Sequence, residues 1–186
     1  MMGWGRVPLL FIVVVVAACF GCQKSEQPVP SGGRVQPSIL LVTLDTTRAD
    51  AIGPEAVGIE TPAFDAIAAR GRRFRQAYAT VPETLPSHTS MLTGLYPAGH
   101  AVHENGRTVP PTLALLAERL RKAGYRTAAF VSSFILSRRF GLARGFDRYD
   151  DELPKGQEER VAAVTTDAAL AWLRQNGGPP AFLWVH

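Results

Sequence analysis

Thr84-Leu85-Pro86-Ser87-His88-Thr89-Ser90-Met91-Leu92-Thr93-Gly94 is the stretch on which the rest of the chain is read. A hydroxyl residue stands just ahead of a proline. Pro86, Ser87 and the run behind them predict the first turns of a helix, which Gly94 ends. A helix N-terminus presents unpaired N–H groups and the positive end of its dipole. A threonine oxygen held there faces the place where a phosphate or sulfate group would bind. Thr84 is therefore the candidate nucleophile, and its neighbours are read for what would serve it.

Upstream, Ser38 to Leu44 (S-I-L-L-V-T-L) is a short, nearly continuous apolar run. Its length and β-branched content predict a strand buried on both faces. It ends at Asp45-Thr46-Thr47-Arg48-Ala49-Asp50, polar residues at the carboxyl end of a strand, where open α/β sheets place their sites. Thr61-Pro62 reads as an N-cap with proline at the first helical position, and Gly71 as the stop. Arg73 to Ala79 reads as a second strand whose arginines put it at an edge.

Downstream, Tyr96 to Gly106 reads as a loop. Pro111-Thr112 opens an amphipathic helix with Leu113, Leu116, Ala117 and Leu120 on one face and Gly124 as the stop. Arg126 to Ser132 reads as a strand, and a loop then runs to Asp150-Asp151. Glu158 to Gln175 reads as a helix, and Ala181 to Val185 (A-F-L-W-V) as another buried strand. Alternating strands and helices predict an α/β fold with a largely parallel sheet flanked by helices. The apolar strand one residue before His186 suggests the N-terminal piece of a longer domain, incomplete at its C-terminal side.

Composition sets the class. The 186 residues are 46% hydrophobic and 19% charged, ordinary for a globular protein, with a formal net charge of +4 that reads as a solvated arginine-rich surface or, alternatively, as an aid in drawing anionic substrates. Basic and aromatic residues are not interleaved, and no nucleic-acid-binding motif is present, which argues against a nucleic-acid partner. Residues 1–22 read as a leader: Arg6 precedes the apolar run Val7 to Phe20, too short for a spanning helix. Both cysteines, Cys19 and Cys22, lie there. Val16-Ala17-Ala18-Cys19 resembles the lipobox of bacterial lipoproteins, with Cys22 a poorer match, which implies acylation of Cys19 and an exported, membrane-anchored protein facing the periplasm or cell exterior; a soluble secreted protein and an uncleaved anchor are the alternatives. Residues 23–37 are polar with Pro, Gly and Ser, the composition of a flexible tether. Residues 38–186 form the folded part.

Within that part, Asp45 after an apolar strand, T-P-x-F-D-x-I-A-x-x-G at Thr61 to Gly71 and the Thr84 stretch together resemble the sulfatase-like branch of the alkaline phosphatase superfamily. The resemblance spans about Ser38 to His186. Sulfatases carry C/S-x-P-S-R-x-x-x-L-T-G. Pro86, Ser87, Leu92, Thr93 and Gly94 match it in register, Thr84 stands at the nucleophile position and His88 at that of the arginine. The resemblance implies an alkaline-phosphatase/sulfatase-like fold and a divalent metal (Ca, Mn or Zn) shared by Asp45 and Thr84. It also implies an anionic phosphate- or sulfate-ester substrate. A divalent ion on a hydroxyl lowers its pKa and neutralises charge on the group being transferred.

Three departures bear on the chemistry. Sulfatases convert the Cys or Ser to formylglycine, for which threonine is no substrate, so Thr84 looks like the nucleophile of nucleotide pyrophosphatase/phosphodiesterases and phosphoethanolamine transferases. His88 replaces the arginine that helps stabilise the modified residue. The second sulfatase signature, G-Y-x-T-x-x-x-G-K-W-H, is matched at Gly124, Tyr125 and Thr127, with Ser132 where the lysine would be. The expectation is a metal-dependent hydrolase or transferase of phosphate esters. Sulfuric ester hydrolysis and a non-catalytic binding module are the alternatives. Asn105, in H-A-V-H-E-N-G, resembles a segment whose Asn touches the substrate oxyanion, and reads equally as a turn residue before Gly106. Thr46 either lines the site or caps a turn. His88, His100 and His103 are candidates for general acids or ligands without the i, i+4 spacing of a zinc helix. Asp50 reads as a surface or cap residue, Asp150-Asp151 as loop punctuation, and His186 as part of a substrate-side histidine segment.

Overall fold

A computed structural model describes residues 36–176, 178 and 180–186. The leader, the lipobox cysteine and all but the last two residues of the tether lie outside the described residues. The described part holds strands β1 (Ile39–Val42), β2 (Arg126–Phe130), β3 (Arg148–Asp150) and β4 (Ala181–Val185). Its helices are α1 (Pro62–Arg70), α2 (Thr84–Thr93), the single turn α3 (Pro97–His100), α4 (Leu116–Lys122) and α5 (Ala162–Asn176). The strands form one sheet in the order β1-β4-β2-β3, with every neighbouring pair parallel. Parallel neighbours need crossovers, and the helices supply them.

Side-chain alternation divides the core in two. Phe182 and Trp184 of β4, with Ala129 of β2 and Val131 just after it, point to one face. There they meet Leu85 and Leu92 of α2, Ala117 of α4, Leu136 and Leu142. Leu183, Ala128 and Phe130 point to the other face, against Ala169, Trp172 and Leu173 of α5. A period of two along each strand and helices on both sides make a three-layer α/β/α arrangement. The largely parallel sheet flanked by helices expected from the sequence is present.

Four local expectations change. β1 is not buried on both faces: among the described residues its only sheet neighbour is β4, and Leu40 is 62% exposed. Arg73 to Ala79 contains no strand, and its polar groups instead reach Glu55 through Arg73 and Arg75. The Pro111 helix begins only at Leu116. There Glu118 reaches back to accept the Leu115 N–H at 2.8 Å, so the helix is capped at Leu115 and does not open at Pro111-Thr112. Asp150 is not loop punctuation but the end of β3, 7% exposed and paired with Arg160 and Arg148 at 2.7 Å. Burial opposes its ionisation, but these guanidinium bonds win and hold its carboxyl below the usual range.

Candidate active site

Three elements converge at the carboxyl ends of β1 and β4. In β1, parallel register places Val42 beside Val185, and the ladder continues with Thr43 N–H donating to Val185 O at 3.0 Å. Asp45 and His186 therefore leave adjacent strands side by side. Helix α2 then presents its first residue, Thr84, to that edge. The helix starts two residues earlier than Pro86, so the proline falls within the first turn, where its missing N–H removes no helical bond. Gly94 ends it at φ +75° with its N–H on Ser90 O at 2.8 Å, the left-handed stop that the sequence predicts.

Thr84 Oγ1 donates to Asp45 Oδ2 at 2.9 Å. The other carboxylate oxygen accepts Thr46 N–H at 2.9 Å. Thr46 pays for that bond with φ +50°, a left-handed conformation disfavoured for a β-branched residue and the kind of strain that collects at functional sites. Asp45, Thr46, Thr84, Ser87 and His88 line one side of a cleft of about 830 Å³, with Tyr78 and Tyr96 on its rim.

The helix N-terminus is less open than its sequence suggests. Ser87 N–H is taken by Glu83 O at 3.1 Å, and Leu85 N–H donates to Asn105 Oδ1 at 2.9 Å. Asn105 is in turn fixed by its own N–H on Glu83 Oε2 at 2.8 Å. Its carbonyl oxygen caps α2 from outside the helix, one residue from Thr84, a role that neither sequence reading of Asn105 anticipated. Its side-chain amide N–H₂ has no partner among the described residues.

The histidines separate. His88 is 3% exposed, and its Nδ1 lies 2.7 Å from Thr84 O and its Nε2 3.1 Å from Thr43 Oγ1. Burial holds it below the usual histidine range against the Asp45 charge. His186 has a 5%-exposed side chain with Nε2 3.7 Å from Asp45 Oδ2 and without a hydrogen-bond partner. Burial, then His88, push it down to about 4, against the pull of Asp45. His100 is fully buried away from the cleft, with Nε2 2.9 Å from Ser90 Oγ and Nδ1 accepting Val102 N–H at 3.1 Å. His103 is exposed. Ser132 is spent on structure: its Oγ donates to His186 O at 2.5 Å and lies 2.7 Å from Thr165 Oγ1. Asp50 forms an exposed pair with Arg48 at 2.6 Å, in keeping with the surface reading.

Sequence reasoning missed Thr43 and Trp184. Trp184 Nε1 donates to Thr43 Oγ1 at 3.1 Å, and Thr43 joins Trp184 to His88. Both residues look like ordinary strand core, and only parallel pairing of β1 with β4 brings them together.

Asp45 Oδ2 and Thr84 Oγ1 offer two hard oxygens next to each other, the donor type that Ca²⁺, Mn²⁺ and, less strictly, Zn²⁺ accept. Among the described residues no group of three or more His, Cys, Asp or Glu could hold a metal ion. The pair therefore fits part of such a site. Among the described residues, no helix is long and apolar enough to cross a membrane.

Comparison with known proteins gives the family and the fold. The chain is 34% identical over 96 residues to an arylsulfatase of Clostridium perfringens, covering 50% of this chain and 20% of that protein. It is 29% identical over 125 residues to an N-acetylgalactosamine-6-O-sulfatase of Bacteroides thetaiotaomicron, covering 64% of this chain and 24% of that one. The chain thus spans about a quarter or less of the length of these relatives. Among solved structures, a protein in complex with its substrate D-glucosamine-2-N,6-O-disulfate superposes with a TM-score of 0.70 at 23% identity, covering 80% of this chain and 33% of the other. The phosphonate monoester hydrolase of Agrobacterium radiobacter gives 0.65 at 22%, covering 81% and 40%. These neighbours share the alkaline-phosphatase/sulfatase-like fold. The Sulfatase family model matches residues 37–186, and the chain belongs to the sulfatase family.

Proposed function

We propose that the protein is a metal-dependent hydrolase or transferase of phosphate mono- or diesters with Thr84 as its nucleophile. The observation that carries this reading is the 2.9 Å bond from Thr84 Oγ1 to Asp45 Oδ2 at the tip of α2. Asp45 and Thr84 would hold the divalent ion, which would lower the hydroxyl pKa and offset the negative charge of the phosphoryl oxygens. Asp45 fixes the direction of the Thr84 hydroxyl, which leaves the oxygen lone pairs free to meet phosphorus. As Oγ1 bonds to phosphorus its proton would pass to Asp45 Oδ2, which already accepts it, while the ester oxygen departs with the bonding pair and takes up a proton from solvent. Water or an acceptor alcohol would then break the Oγ1–phosphorus bond and restore Thr84. Asn105 could present its amide N–H₂ to the phosphoryl oxygens.

Three features favour phosphate over sulfate: an unmodifiable threonine, a buried neutral His88 in place of an arginine, and Ser132 tied to Thr165 and His186 O. The relatives named above favour the second reading, a sulfuric ester hydrolase. The test is turnover of aryl phosphomonoester, phosphodiester and sulfate by the full-length protein with Mn²⁺, Zn²⁺ or Ca²⁺. Phosphate turnover lost in Thr84→Ala supports the proposal. Sulfate turnover that survives Thr84→Ala rejects it, and no turnover of any ester supports a non-catalytic binding module.

The same proposal divides the chain into a leader at 1–22, a tether at 23–37 and the sulfatase-like domain from 38 onward, exported and anchored through acylated Cys19. Cys19→Ser should move the protein from the membrane fraction to the soluble one, and unchanged membrane association would reject the anchor.

A further inference from the structure

The polar groups behind Thr84 can be ordered by what each is able to donate. Trp184 Nε1 is a donor only, so at 3.1 Å Thr43 Oγ1 must accept from it. Thr84 O is an acceptor only, so at 2.7 Å His88 Nδ1 must carry a proton. Between these fixed ends stands the 3.1 Å contact of Thr43 Oγ1 with His88 Nε2. The Thr43 hydroxyl has one hydrogen left to give, and a neutral imidazole protonated on Nδ1 has one lone pair left to receive it. Every group is then satisfied without a charge: Trp184 to Thr43, Thr43 to His88, His88 to Thr84 O. Both ends of the chain are rigid. Trp184 is fully buried in β4, and His88 is 3% exposed on α2, its ring packed at 5.6 Å from that of Trp184 and 5.0 Å from that of His186.

We propose that Trp184, Thr43 and His88 form a directional hydrogen-bond relay that positions Thr84 through its backbone carbonyl, with His88 locked as the neutral Nδ1–H tautomer. The inference rests on the reading of Thr84 as nucleophile for its functional meaning, but the tautomer does not depend on it. Thr84 is the first residue of α2, and its side chain can turn with the helix end. The Asp45 bond fixes its hydroxyl, and the His88 bond fixes the peptide that carries it. Thr43 belongs to the same strand end as Asp45, so the two restraints share one origin. The imidazole thus works here as a clamp. It cannot act as a general base toward Oγ1, because its lone pair is turned to Thr43.

The test uses full-length protein labelled with ¹⁵N-histidine, with the His88 signals identified by their loss in His88→Asn. The relay expects a proton on Nδ1 and none on Nε2. It expects Thr43→Val to shift the Nε2 resonance and Thr43→Ser to keep it. In aryl phosphate turnover Thr43→Val should lower kcat by about 10- to 100-fold with little change in KM, the size expected for a mispositioned group, and Thr43→Ser should restore it. His88→Asn, whose amide can replace the Nδ1–H donor, should retain more activity than His88→Phe. A wild-type His88 protonated on Nε2, alone or with Nδ1, overturns the relay. So does a Thr43→Val protein with wild-type kcat, whatever its spectrum. Should Thr43→Val not fold, the wild-type spectrum and the contrast between His88→Asn and His88→Phe decide the matter. The expected spectrum together with full turnover in Thr84→Ala would reject the nucleophile and with it the positioning role, leaving the hydrogen bonds as structure only.

Discussion

Thr84 Oγ1 and Asp45 Oδ2 meet at 2.9 Å although 39 positions separate them in sequence. Neither residue reaches the other through its own element. Asp45 is carried by the end of β1, which is held in place by parallel pairing with β4, and Thr84 by the start of α2, which is held by Leu85 and Leu92 in the core. The contact is therefore a readout of how the helix docks on the sheet, and the strained Thr46, whose N–H holds Asp45 Oδ1, is part of what maintains it.

Asp45→Asn tests the acceptor. The amide is nearly the same size, but it loses the negative charge that both the Thr84 hydroxyl and a divalent ion would use. Turnover should fall by about 100-fold or more, as when a group organising transition-state charge is removed. The urea midpoint should change little because the residue lies at the cleft surface. Wild-type turnover in Asp45→Asn would remove Asp45 from the site.

Asn105 carries two tasks that substitution can separate. Asn105→Asp keeps an oxygen for Leu85 N–H and adds negative charge near a helix N-terminus, so stability should hold or rise slightly. It also removes the amide donor and places a carboxylate beside an anionic substrate, so kcat should drop by roughly 100-fold. Asn105→Ala loses the cap as well, at a cost of about 1 kcal/mol. Equal activity in the wild type and Asn105→Asp would leave Asn105 as a cap alone. Denaturant titration and steady-state kinetics on the same preparations make the distinction.

Thr46→Gly should stabilise the protein where most substitutions near a site do not. Glycine reaches φ +50° without a Cβ penalty, and relief of a left-handed non-glycine residue is worth about 1 kcal/mol or more, offset in part by the greater entropy of glycine in the unfolded chain. The peptide N–H that holds Asp45 Oδ1 is retained. A loss of about 1 kcal/mol or more in unfolding free energy would show that Thr46 is not strained.

What was legible in the sequence follows from how locally each feature is encoded. A-A-F and A-F-L-W-V were legible because buried parallel strands are written as apolar segments, and I-L-L-V carries the same apolar signal although most of it is exposed. Thr84 at a helix start was legible because Pro86 and Gly94 bracket the element. β3 was not, since three residues with two charges carry no period; it exists through parallel pairing with β2, and Arg148 and Arg160 satisfy the Asp150 carboxylate at its end. The relay behind Thr84 was equally hidden. Thr43 and Trp184 acquire a polar role only through pairing between strands that lie more than a hundred residues apart in sequence.

Among the described residues, Gly145 marks the place where backbone approaches backbone too closely for any side chain. A Cβ there would lie 2.3 Å from Glu118 N and 2.6 Å from Glu118 Cα, and φ is +85°. Backbone cannot move aside as a flexible side chain can, so Gly145→Ala combines overpacking with conformational strain, each about 1–3 kcal/mol. The variant should unfold at markedly lower urea or accumulate as insoluble protein. An unchanged midpoint would mean that the Gly145 turn and α4 are not packed as described.

Acid should weaken the fold through its buried histidines, and His100 isolates the effect away from Asp45. Burial, then the nearby His103, hold His100 below its ordinary value near 6.5, so the unfolded chain binds a proton that the folded chain refuses. Stability then rises with pH through the window just below 6.5 and is lost as pH falls through it, because the unfolded state carries the excess protons. His88 and His186 act in the same direction, the latter down to about 4. His100→Gln keeps an N–H for Ser90 Oγ but cannot titrate. Its urea midpoint should be lower than wild type at pH 8, because Val102 N–H loses its acceptor. It should nonetheless decline less steeply between pH 7 and pH 5. Parallel declines in the two proteins would show that His100 is protonated equally in both states and contributes nothing to acid sensitivity.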